Sequence, residues 1–530
     1  RSGSHRLFRS PKSRAEDEKG HGYLRTLKDL REQRKGRLPV KNYILSLDEG
    51  TTGARALLFD RQERVIASAY REIRCSYPQP SYVEQDPEEL YAAQCGAMAE
   101  VVARSGIFPK EIATIGIACQ RETTVVWEKE SGKPIFPAIV WQCRRTAGDC
   151  EKLKEEGLSA LIREKTGLLP DAYFSATKLK WILDHVEGAR SRAQKGELLF
   201  GTVDSYLIWK LTGGKVHATD RTNASRTMLY NIHTLCWDKE LLALFDIPEE
   251  MLPTVLPSSS FFGYCTAFGT PIPICGVAGD QQAALFGQGC TEEGQVKNTY
   301  GTGCFLLMHT GHKAVCSSGG LLTTLAADEG KQPSYVLEGS VFTAGAVIKW
   351  LRDDLKLIET AGETAAIAQS VPNNGGVYFV PAFTGLGAPY WDMFARGAIL
   401  GLSAGCGKGH MVRAALECLA YRTYDLLESI RKDTSAVLSE LRVDGGAVQN
   451  DFLMQFQADI LNIPVFRPDN PELTALGAFR LAALQTDFPL PAERETGSKG
   501  RIFLPRMSEE ERQKNLSGWA KAVRCICSGS

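Results

Sequence analysis

The chain has 530 residues, which exceeds the size at which a single hydrophobic core keeps growing and therefore favours two large domains. Hydrophobic residues make up 43% and charged residues 23%, as in ordinary globular proteins, and the formal net charge is +0. A neutral chain has no global field to attract nucleic acid or an anionic membrane, and no apolar run is long enough to span a bilayer. The composition therefore argues against nucleic-acid binding and stable membrane insertion.

The first 41 residues differ from the rest of the chain, because they are rich in Arg and Lys and poor in apolar residues. They lack the apolar segment of a secretory signal, and Glu16 and Glu18 are unusual for a transit peptide. We expect a disordered or partly helical tail, with a basic docking arm as the alternative. The 15 cysteines are scattered without the spacing of a zinc site, as expected for reduced thiols in a cytoplasmic protein.

The first predicted feature after this tail is a pair of apolar strands joined by a turn of glycine and threonine. Residues 43–47 form the first strand, Asp48 ends it, and residues 56–59 form the second. Small residues in the turn expose backbone N–H groups, and Thr51 and Thr52 add hydroxyl donors, which suits a phosphate. Asp48 lies beside this turn, where a carboxylate can hold the Mg²⁺ that accompanies a nucleoside triphosphate. The pattern predicts a nucleotide phosphate site, although the same turn also closes ordinary hairpins.

Alternating strands and helices follow, up to about residue 289. Residues 87–104 predict an amphipathic helix and residues 112–118 predict a strand. Arg121 and Glu122 come directly after this strand, at the carboxyl end where α/β proteins gather their binding sites. A cation and a carboxylate together can bind the hydroxyl groups of a polyol, and the alternative is a structural ion pair.

Asp280 is a further candidate for binding an acceptor molecule. It lies between an apolar strand that ends at Gly279 and a predicted helix. Near a γ-phosphate, its carboxylate can accept a hydroxyl proton as general base and help to place Mg²⁺, whereas the alternative is an N-cap of the helix. Aromatic residues also fall beside these segments, where they can cover the carbon face of a substrate or simply belong to the core. They are Trp141, Tyr173 and Phe305.

The strand–turn–strand pattern recurs in the second half of the chain, after Gly294. Its turn is Gly301, Thr302 and Gly303, and apolar residues stand on both sides. The recurrence indicates a duplicated domain, with a nucleotide between the two related halves. Further on, a glycine-rich segment opens another helix near Asn450, whose side chain can hydrogen-bond a ribose or a base. A tight strand-to-helix turn is the alternative for that segment.

Together these segments resemble the FGGY carbohydrate kinase family, and within it the members that phosphorylate glycerol. The similarity runs from about residue 43 to about residue 483. The segments that resemble the two signatures of the family are residues 173–185 and 397–417. Those that are similar to the glycerol-specific members rather than the sugar-specific ones are residues 120–124, 139–145 and 279–282.

The resemblance implies an α/β fold of two actin-like (ribonuclease H-like) ATPase domains with an interdomain cleft. It implies ATP-dependent phosphorylation of glycerol to sn-glycerol 3-phosphate by in-line phosphoryl transfer with Mg²⁺, the first step of glycerol catabolism, in the cytoplasm. We expect an N-terminal domain at 42–290 for glycerol and phosphate, a nucleotide-binding C-terminal domain at 291–490 and a divergent segment at 491–530. The same resemblance implies a homodimer or a homotetramer.

The resemblance also implies roles for individual residues, by motif match. Asp280 is the expected general base, and Asp48 and Asp280 are expected beside Mg²⁺. The residues expected to hold the glycerol hydroxyls are Arg121, Glu122, Tyr173, Asp280 and Gln281, and those expected to pack on its carbons are Trp141 and Phe305. The residues expected to line the nucleotide site are Thr51, Thr52, Arg55, Thr302, Gly345, Gly446 and Asn450.

The chain departs from the family pattern in a few places. Gly53 and Ala54 stand where the family usually has serines, which removes hydroxyl groups from the first phosphate turn, and Lys349 replaces a common glutamine. Residues 262–271 lack the loop with which some bacterial members bind fructose 1,6-bisphosphate, so we expect no such feedback. The alternatives are a kinase for another polyol or sugar and a catalytically silent regulatory or scaffold protein.

Overall fold

The computed structural model describes residues 41–527, except residues 331, 384, 393, 489 and 491–498. Apart from Lys41, the basic tail expected at 1–41 lies outside the described residues, as does part of the segment expected at 491–530. Two large mixed sheets organise the part that is described, and helices cover them. None of the helices described is both long enough and apolar enough to cross a membrane.

The first sheet consists of six strands within the described residues. In spatial order they are Tyr264–Cys265, Ile272–Gly279, Ile112–Cys119, Tyr43–Glu49, Gly53–Phe59 and Val65–Glu72. The last three pair antiparallel, whereas Ile112–Cys119 pairs parallel with Tyr43–Glu49 on one side and with Ile272–Gly279 on the other. The strands at the centre are buried on both faces, which explains why their sequences are almost continuously apolar.

The second sheet consists of seven strands within the described residues. In spatial order they are Leu322–Leu325, Tyr335–Val341, Cys304–His309, Val296–Tyr300, Leu441–Asp444, Val465–Pro468 and Gly500–Phe503. Val296–Tyr300, Cys304–His309 and Tyr335–Val341 pair antiparallel, and Leu441–Asp444 and Val465–Pro468 add two parallel pairings. Both sheets therefore contain three neighbouring antiparallel strands followed by two parallel ones, and two of the three antiparallel strands form the strand–turn–strand pattern seen in each half of the sequence.

The other strands form short two-stranded pairs. These are Glu84–Gln85 with Ala138–Ile139, Val125–Glu128 with Leu198–Gly201, Ala218–Asp220 with Thr254–Leu256, Tyr230–Asn231 with Cys236–Trp237, and Tyr378–Val380 with Ala398–Leu400. The α-helices of the described residues are Pro87–Ser105, Ala147–Glu155, Ser159–Thr166, Ser175–His185, Ala189–Gln194, Val203–Leu211, Arg221–Ala224, Lys239–Phe245, Asp280–Gly287, Gly345–Asp353, Thr364–Gln369, Lys408–Asp433, Asp451–Leu461, Leu473–Ala483 and Glu509–Arg524.

The helix predicted at 87–104 is confirmed as Pro87–Ser105. Asp86 occupies its N-cap, where its carboxylate accepts a hydrogen bond from the backbone nitrogen of Glu88 at 2.9 Å, and Pro87 opens the first turn. Gly106, with φ of 67°, ends the helix in the left-handed conformation that glycine adopts at low cost. Both ends of this helix are therefore set by residues next to it in the chain.

The helix Leu473–Ala483 connects the two halves of the chain, because it comes from the carboxyl-terminal half and packs on the first sheet. Its contacts with the amino-terminal half are so close that they require glycine. A Cβ atom at Gly116 would lie 2.2 Å from the carbonyl oxygen of Ala478, and one at Gly477 would lie 1.9 Å from that of Ala283. The packing also brings the helix against Asp280–Gly287, which begins at a predicted site residue.

Candidate active site at the two glycine–threonine turns

A cavity of about 830 Å³ lies where the two strand–turn–strand units approach each other. We call residues 50–52 the first turn and residues 301–303 the second turn. The predicted site residues that line this cavity are Thr51, Thr52, Arg121, Glu122, Trp141, Tyr173, Asp280, Gln281, Thr302, Phe305, Gly345, Gly446 and Asn450. The structure therefore brings together residues that are spread over 400 positions of the sequence. Asp48 and Arg55 lie beside the first turn but outside this lining.

Hydrogen bonds from several elements hold the first turn. The backbone nitrogen of Gly50 donates to the carbonyl of Gly53 at 3.0 Å, so the second strand of the hairpin begins at Gly53, three residues earlier than the sequence indicated. The indole nitrogen of Trp141 donates to the hydroxyl of Thr51 at 2.9 Å. Gln85 donates to the carbonyl of Thr51 at 2.6 Å. The turn is therefore fixed before any ligand arrives, as a preformed anion site requires.

Arg55 makes two ion pairs at the edge of the first turn. It donates to Asp48 at 2.5 Å and to Glu472 at 2.7 Å, and the charge of Asp48 is the main reason why the pKa of Arg55 is raised. Arg55 was expected to line the nucleotide site, and in this conformation its guanidinium is held by two carboxylates instead. To contact a phosphate, the Arg55 guanidinium would have to leave Asp48 or Glu472.

Arg121 is almost completely buried at the end of the strand Ile112–Cys119. It makes a bidentate pair with Glu338 and also donates to Gln282 at 3.2 Å and to the hydroxyl of Tyr173 at 3.4 Å. The two buried arginines Arg121 and Arg226 lower the pKa of Glu338 to about 2, which more than offsets the effect of burial. Glu338 therefore stays ionised and fixes the direction of the Arg121 guanidinium.

Glu122 is also buried and has an unusual backbone conformation, with φ of 61°. A non-glycine residue in the left-handed region costs on the order of 1 kcal/mol or more, and such strain is concentrated at functional sites. Arg226 donates to the carboxylate of Glu122 at 2.6 Å and to Glu338 at 3.0 Å. The same arginine thus orients two carboxylates beside the cavity, one from each half of the chain.

Asp280 is the first residue of the helix Asp280–Gly287, and Gly279 occupies the N-cap position that was the alternative role for Asp280. Its carboxylate accepts a hydrogen bond from the backbone nitrogen of Gln281 at 2.8 Å and lies 3.5 Å from the Nε of Arg121. Burial, with smaller contributions from the charges of Glu122 and Asp48, raises the pKa of Asp280 to about 6 against the opposing effect of Arg121. The side chain remains 29% exposed, so a hydroxyl group in the cavity can reach it.

Gln281 is held by a lysine that the sequence did not single out. Lys297 is fully buried and donates to the side-chain oxygen of Gln281 at 2.6 Å and to the hydroxyl of Thr299 at 2.7 Å. Burial lowers the pKa of Lys297, although the carboxylates of Asp444 and Asp280 oppose this change. Lys297 thereby fixes the orientation of the Gln281 amide, because the amide oxygen must face the lysine.

The three predicted aromatic residues form one wall of the cavity. The ring of Trp141 lies edge to face against Tyr173, with centroids 5.7 Å apart, and against Phe305 at 6.1 Å. The guanidinium of Arg121 lies 5.9 Å from the centroid of Phe305. An apolar wall next to Arg121 and Asp280 suits a molecule with hydroxyl groups on one side and carbon on the other.

The second turn lies at the start of the helix Gly345–Asp353. The backbone nitrogen of Gly345 donates to the carbonyl of Gly301 at 3.0 Å, and a Cβ atom at Gly345 would lie 2.5 Å from that oxygen. The positive end of a helix therefore meets the turn at a position that only glycine allows. Lys349 and Arg352 from the same helix also line the cavity, so this side of it carries positive charge.

Asn450 lies at the far side of the cavity, near Gly446. Its side-chain oxygen accepts a hydrogen bond from the backbone nitrogen of Leu453 at 3.0 Å and so caps the helix Asp451–Leu461. Its amide nitrogen donates to Thr364 at 3.0 Å. Asn450 therefore caps a helix and lines the cavity at the same time, and the cap is a role that the sequence analysis did not assign to it.

Glu338, Arg226 and Lys297 contribute to the site although the sequence analysis missed them. All three are charged residues that are buried in the structure, and of the three only Glu338 stands in a largely apolar segment of the sequence. A buried charge needs a partner, so a charge in an apolar segment is a signal that could have pointed to Glu338. It could not have named the partners Arg121 and Arg226, which lie more than 100 positions away.

No group of three or more metal-ligating side chains is found among the residues that the structure describes. Asp48 and Asp280 nevertheless lie close enough for the charge of Asp48 to raise the pKa of Asp280. Carboxylate oxygens are the ligands that Mg²⁺ prefers, and this ion usually keeps several waters and binds substrate phosphates as well. The donor set therefore fits Mg²⁺ bound together with a nucleotide.

Comparison with known proteins identifies the family. Residues 43–287 match the N-terminal domain and residues 296–486 the C-terminal domain of the FGGY family of carbohydrate kinases. The chain belongs to this family, and the resemblance found in the sequence is confirmed. The prediction of an α/β fold with two actin-like (ribonuclease H-like) ATPase domains is confirmed as well, since the solved structures that it matches have this fold.

Individual relatives cover nearly the whole chain. It is 58% identical over 490 residues to the glycerol kinase of Carboxydothermus hydrogenoformans, covering 91% of this chain and 98% of that protein. It is 56% identical over 492 residues to the glycerol kinase of Desulfitobacterium hafniense, covering 92% and 100%. The crystal structure of Plasmodium falciparum glycerol kinase with ADP superposes with a TM-score of 0.85 at 35% identity, covering 92% of this chain and 98% of that one.

Proposed function

We propose that this protein is a glycerol kinase that transfers the γ-phosphoryl group of ATP to glycerol and forms sn-glycerol 3-phosphate. The observation that carries the proposal is the position of Asp280. Its carboxylate, with a pKa of about 6, faces a cavity lined by Arg121, Glu122 and Gln281 and by both turns. The similarity to glycerol kinases over more than nine-tenths of the chain supports the choice of acceptor.

Glycerol binds in this proposal between the polar groups around Asp280 and the aromatic wall. Arg121, Glu122, Tyr173, Asp280 and Gln281 hold its hydroxyl groups, and Trp141 and Phe305 pack against its carbons. Because Glu338 holds the Arg121 guanidinium in a bidentate pair, little side-chain entropy remains to be lost when glycerol binds. The aromatic wall also excludes water from the acceptor side of the cavity.

Asp280 acts in this proposal as the general base. At neutral pH its carboxylate is mostly ionised, and it accepts the proton of the attacking hydroxyl as that oxygen bonds to the γ-phosphorus. The bond from the γ-phosphorus to the bridging oxygen breaks on the opposite side, and ADP leaves. Phosphoryl transfer needs positioning and charge neutralisation more than covalent help, and the two turns supply both.

ATP lies in this proposal across both turns. Its phosphates meet Thr51 and Thr52 of the first turn and Thr302 of the second. The residues that line the space for its nucleoside are Gly345, Gly446 and Asn450.

Charged residues beside the first turn complete the site in this proposal. Arg55 leaves its ion pairs with Asp48 and Glu472 and turns to the phosphates. Asp48 and Asp280 would hold Mg²⁺, which neutralises charge on the transferring phosphoryl group when it is bound.

The remaining proposals concern the chain as a whole. We assign the acceptor and phosphate site to a domain at 42–290 and the nucleotide site to a domain at 291–490. We further propose a cytoplasmic enzyme of glycerol catabolism that forms a homodimer or a homotetramer. The scattered cysteines, which form no disulfide among the described residues, support a reducing compartment.

The decisive experiment is a measurement of Mg²⁺-ATP consumption by the purified chain with glycerol, dihydroxyacetone, erythritol, xylitol and ribulose. The phosphorylated product is identified in each case. Strong turnover with glycerol that yields sn-glycerol 3-phosphate is the expected result. A clear preference for another acceptor would keep the mechanism and overturn the substrate, and ATP binding without any turnover would favour the catalytically silent alternative.

A further inference from the structure

The first turn contains a feature that the roles given above do not explain. Gly53 directly follows this turn, and Tyr70 from the neighbouring edge strand covers it. A Cβ atom at Gly53 would lie only 2.2 Å from the Cε2 of the Tyr70 ring. Covering a strand glycine with an aromatic ring from the next strand is a known way to stabilise such a position.

The hydroxyl of Tyr70 makes a second contact with the turn. It donates a hydrogen bond to the carbonyl of Thr52 at 2.9 Å, and the backbone nitrogen of Ile73 donates to the same oxygen at 3.0 Å. Both donors come from the segment that contains the edge strand Val65–Glu72. The Thr52 carbonyl is therefore held from the outer edge of the sheet, by two groups that take no part in the cavity lining.

The Thr52 carbonyl and the Gly53 N–H belong to one planar peptide unit. In a trans peptide these two groups point in opposite directions, so a hydrogen bond that fixes the carbonyl also fixes the N–H. Gly53 directly follows Thr51 and Thr52, which meet the ATP phosphates in the proposed function, so its N–H is the next backbone donor along the chain. Tyr70 holds the direction of this donor from the opposite side of the peptide unit.

We propose that Tyr70 is a positioning residue for the nucleotide, which clamps the peptide between Thr52 and Gly53 and depends on the missing side chain at Gly53. The proposal rests on the proposed function, because it assumes that the first turn binds ATP phosphates. Tyr70 is 52% exposed, so its ring is free to swing outwards when a side chain is added at Gly53. Gly53 and Tyr70 are therefore expected to act as one unit.

The test uses the full chain with the single variants Tyr70→Phe and Gly53→Ala and the double variant. Tyr70→Phe keeps the ring and removes the hydroxyl, and Gly53→Ala displaces the ring and thereby removes the same hydrogen bond. Tyr264→Phe is the control, because Tyr264 is 53% exposed on the opposite edge of the same sheet. For each protein we would measure the Kd of ADP by calorimetry, the KM values of ATP and glycerol, and Tm.

Tyr70→Phe is expected to raise the Kd of ADP and the KM of ATP about three- to tenfold, the effect of one lost hydrogen bond, and to leave the KM of glycerol unchanged. Gly53→Ala should have an effect at least as large, and the double variant should equal Gly53→Ala, because the second change removes a contact already lost. Tyr264→Phe should behave as the parent.

Several results would overturn the clamp. They are an unchanged nucleotide affinity in Tyr70→Phe, an equal rise in both KM values, a loss of Tm alone, or additive effects in the double variant. The calorimetric measurement does not depend on the acceptor. If the parent chain bound ADP but did not phosphorylate glycerol, the proposed function would fail while the clamp could still be judged from the ADP affinities.

Discussion

Glu338 accepts hydrogen bonds from both terminal nitrogens of Arg121, at 2.5 Å and 2.9 Å. Arg121 follows a strand of the first sheet, and Glu338 lies within a strand of the second. The pair therefore joins the two halves of the chain next to the proposed acceptor site. Both side chains are almost fully buried, so the pair is shielded from water and from salt.

Glu338→Gln is expected to lower both stability and affinity for glycerol. The substitution removes the carboxylate that Arg121 and Arg226 share and leaves both arginines buried. This should lower the free energy of unfolding by about 3 kcal/mol. The KM of glycerol should rise, because Arg121 loses its fixed direction. Denaturant unfolding and steady-state kinetics measure the two effects. Glu240→Gln, in an exposed pair with Lys165, should change neither.

Asp280→Asn is expected to abolish turnover and to leave ATP binding largely intact. The amide is close to the carboxylate in size and keeps an oxygen that can accept from the Gln281 nitrogen, but it cannot accept a proton. Loss of a general base lowers kcat by about a hundred- to ten-thousandfold. Quenched-flow kinetics and calorimetry with ADP measure the two properties. Near-normal turnover would remove Asp280 from the role of base, and Asp149→Asn on the surface serves as control.

The pH dependence of the reaction should report the same carboxylate. Burial raises the pKa of Asp280 to about 6, and the base must be unprotonated to act. Values of kcat/KM for Mg²⁺-ATP, which report the enzyme before the ion binds, should therefore be level above this pH and fall about tenfold for each unit below it. A profile that stays level down to pH 5 would contradict this assignment.

His217 should make the folded protein less stable as the pH falls. Burial lowers the pKa of His217 from 6.5 to about 4, and its Nε2 lies 2.8 Å from the carbonyl of Phe200, to which it donates. Between pH 6.5 and pH 4, His217 is protonated in the unfolded chain but stays neutral in the folded chain. The free energy of unfolding therefore decreases as the pH falls from 6.5 towards 4. His217→Gln should reduce this loss, by on the order of 1–2 kcal/mol at pH 5.

The control for this prediction is His233→Gln, because the side chain of His233 lies at the surface. Chemical unfolding between pH 7 and pH 5 provides the measurement. Some dependence should remain in His217→Gln, since burial lowers the pKa of His309 to about 4 as well. Equal slopes for the parent and His217→Gln would mean that His217 does not contribute.

The sequence by itself determined the elements that depend on neighbouring residues. Both glycine–threonine turns, the helix that Asp86 caps and the position of Asp280 between a strand and a helix follow from local turn chemistry and periodicity. These signals extend over a few residues, so one sequence is enough to read them. The family resemblance added the pairing of the two halves around a cleft.

Only the tertiary structure decided which distant groups meet in and around that cleft. Glu338 and Arg226 lie 112 positions apart and Tyr70 and Thr52 lie 18 apart, and no local pattern links either pair. Burial also depends on the fold. Burial raises the pKa of Asp280, and because Arg121 is buried its charge needs the carboxylate of Glu338 as a partner. The sequence therefore supplies the reactive groups, whereas packing supplies their partners and sets their charge, because electrostatic interactions become strong only where water is excluded.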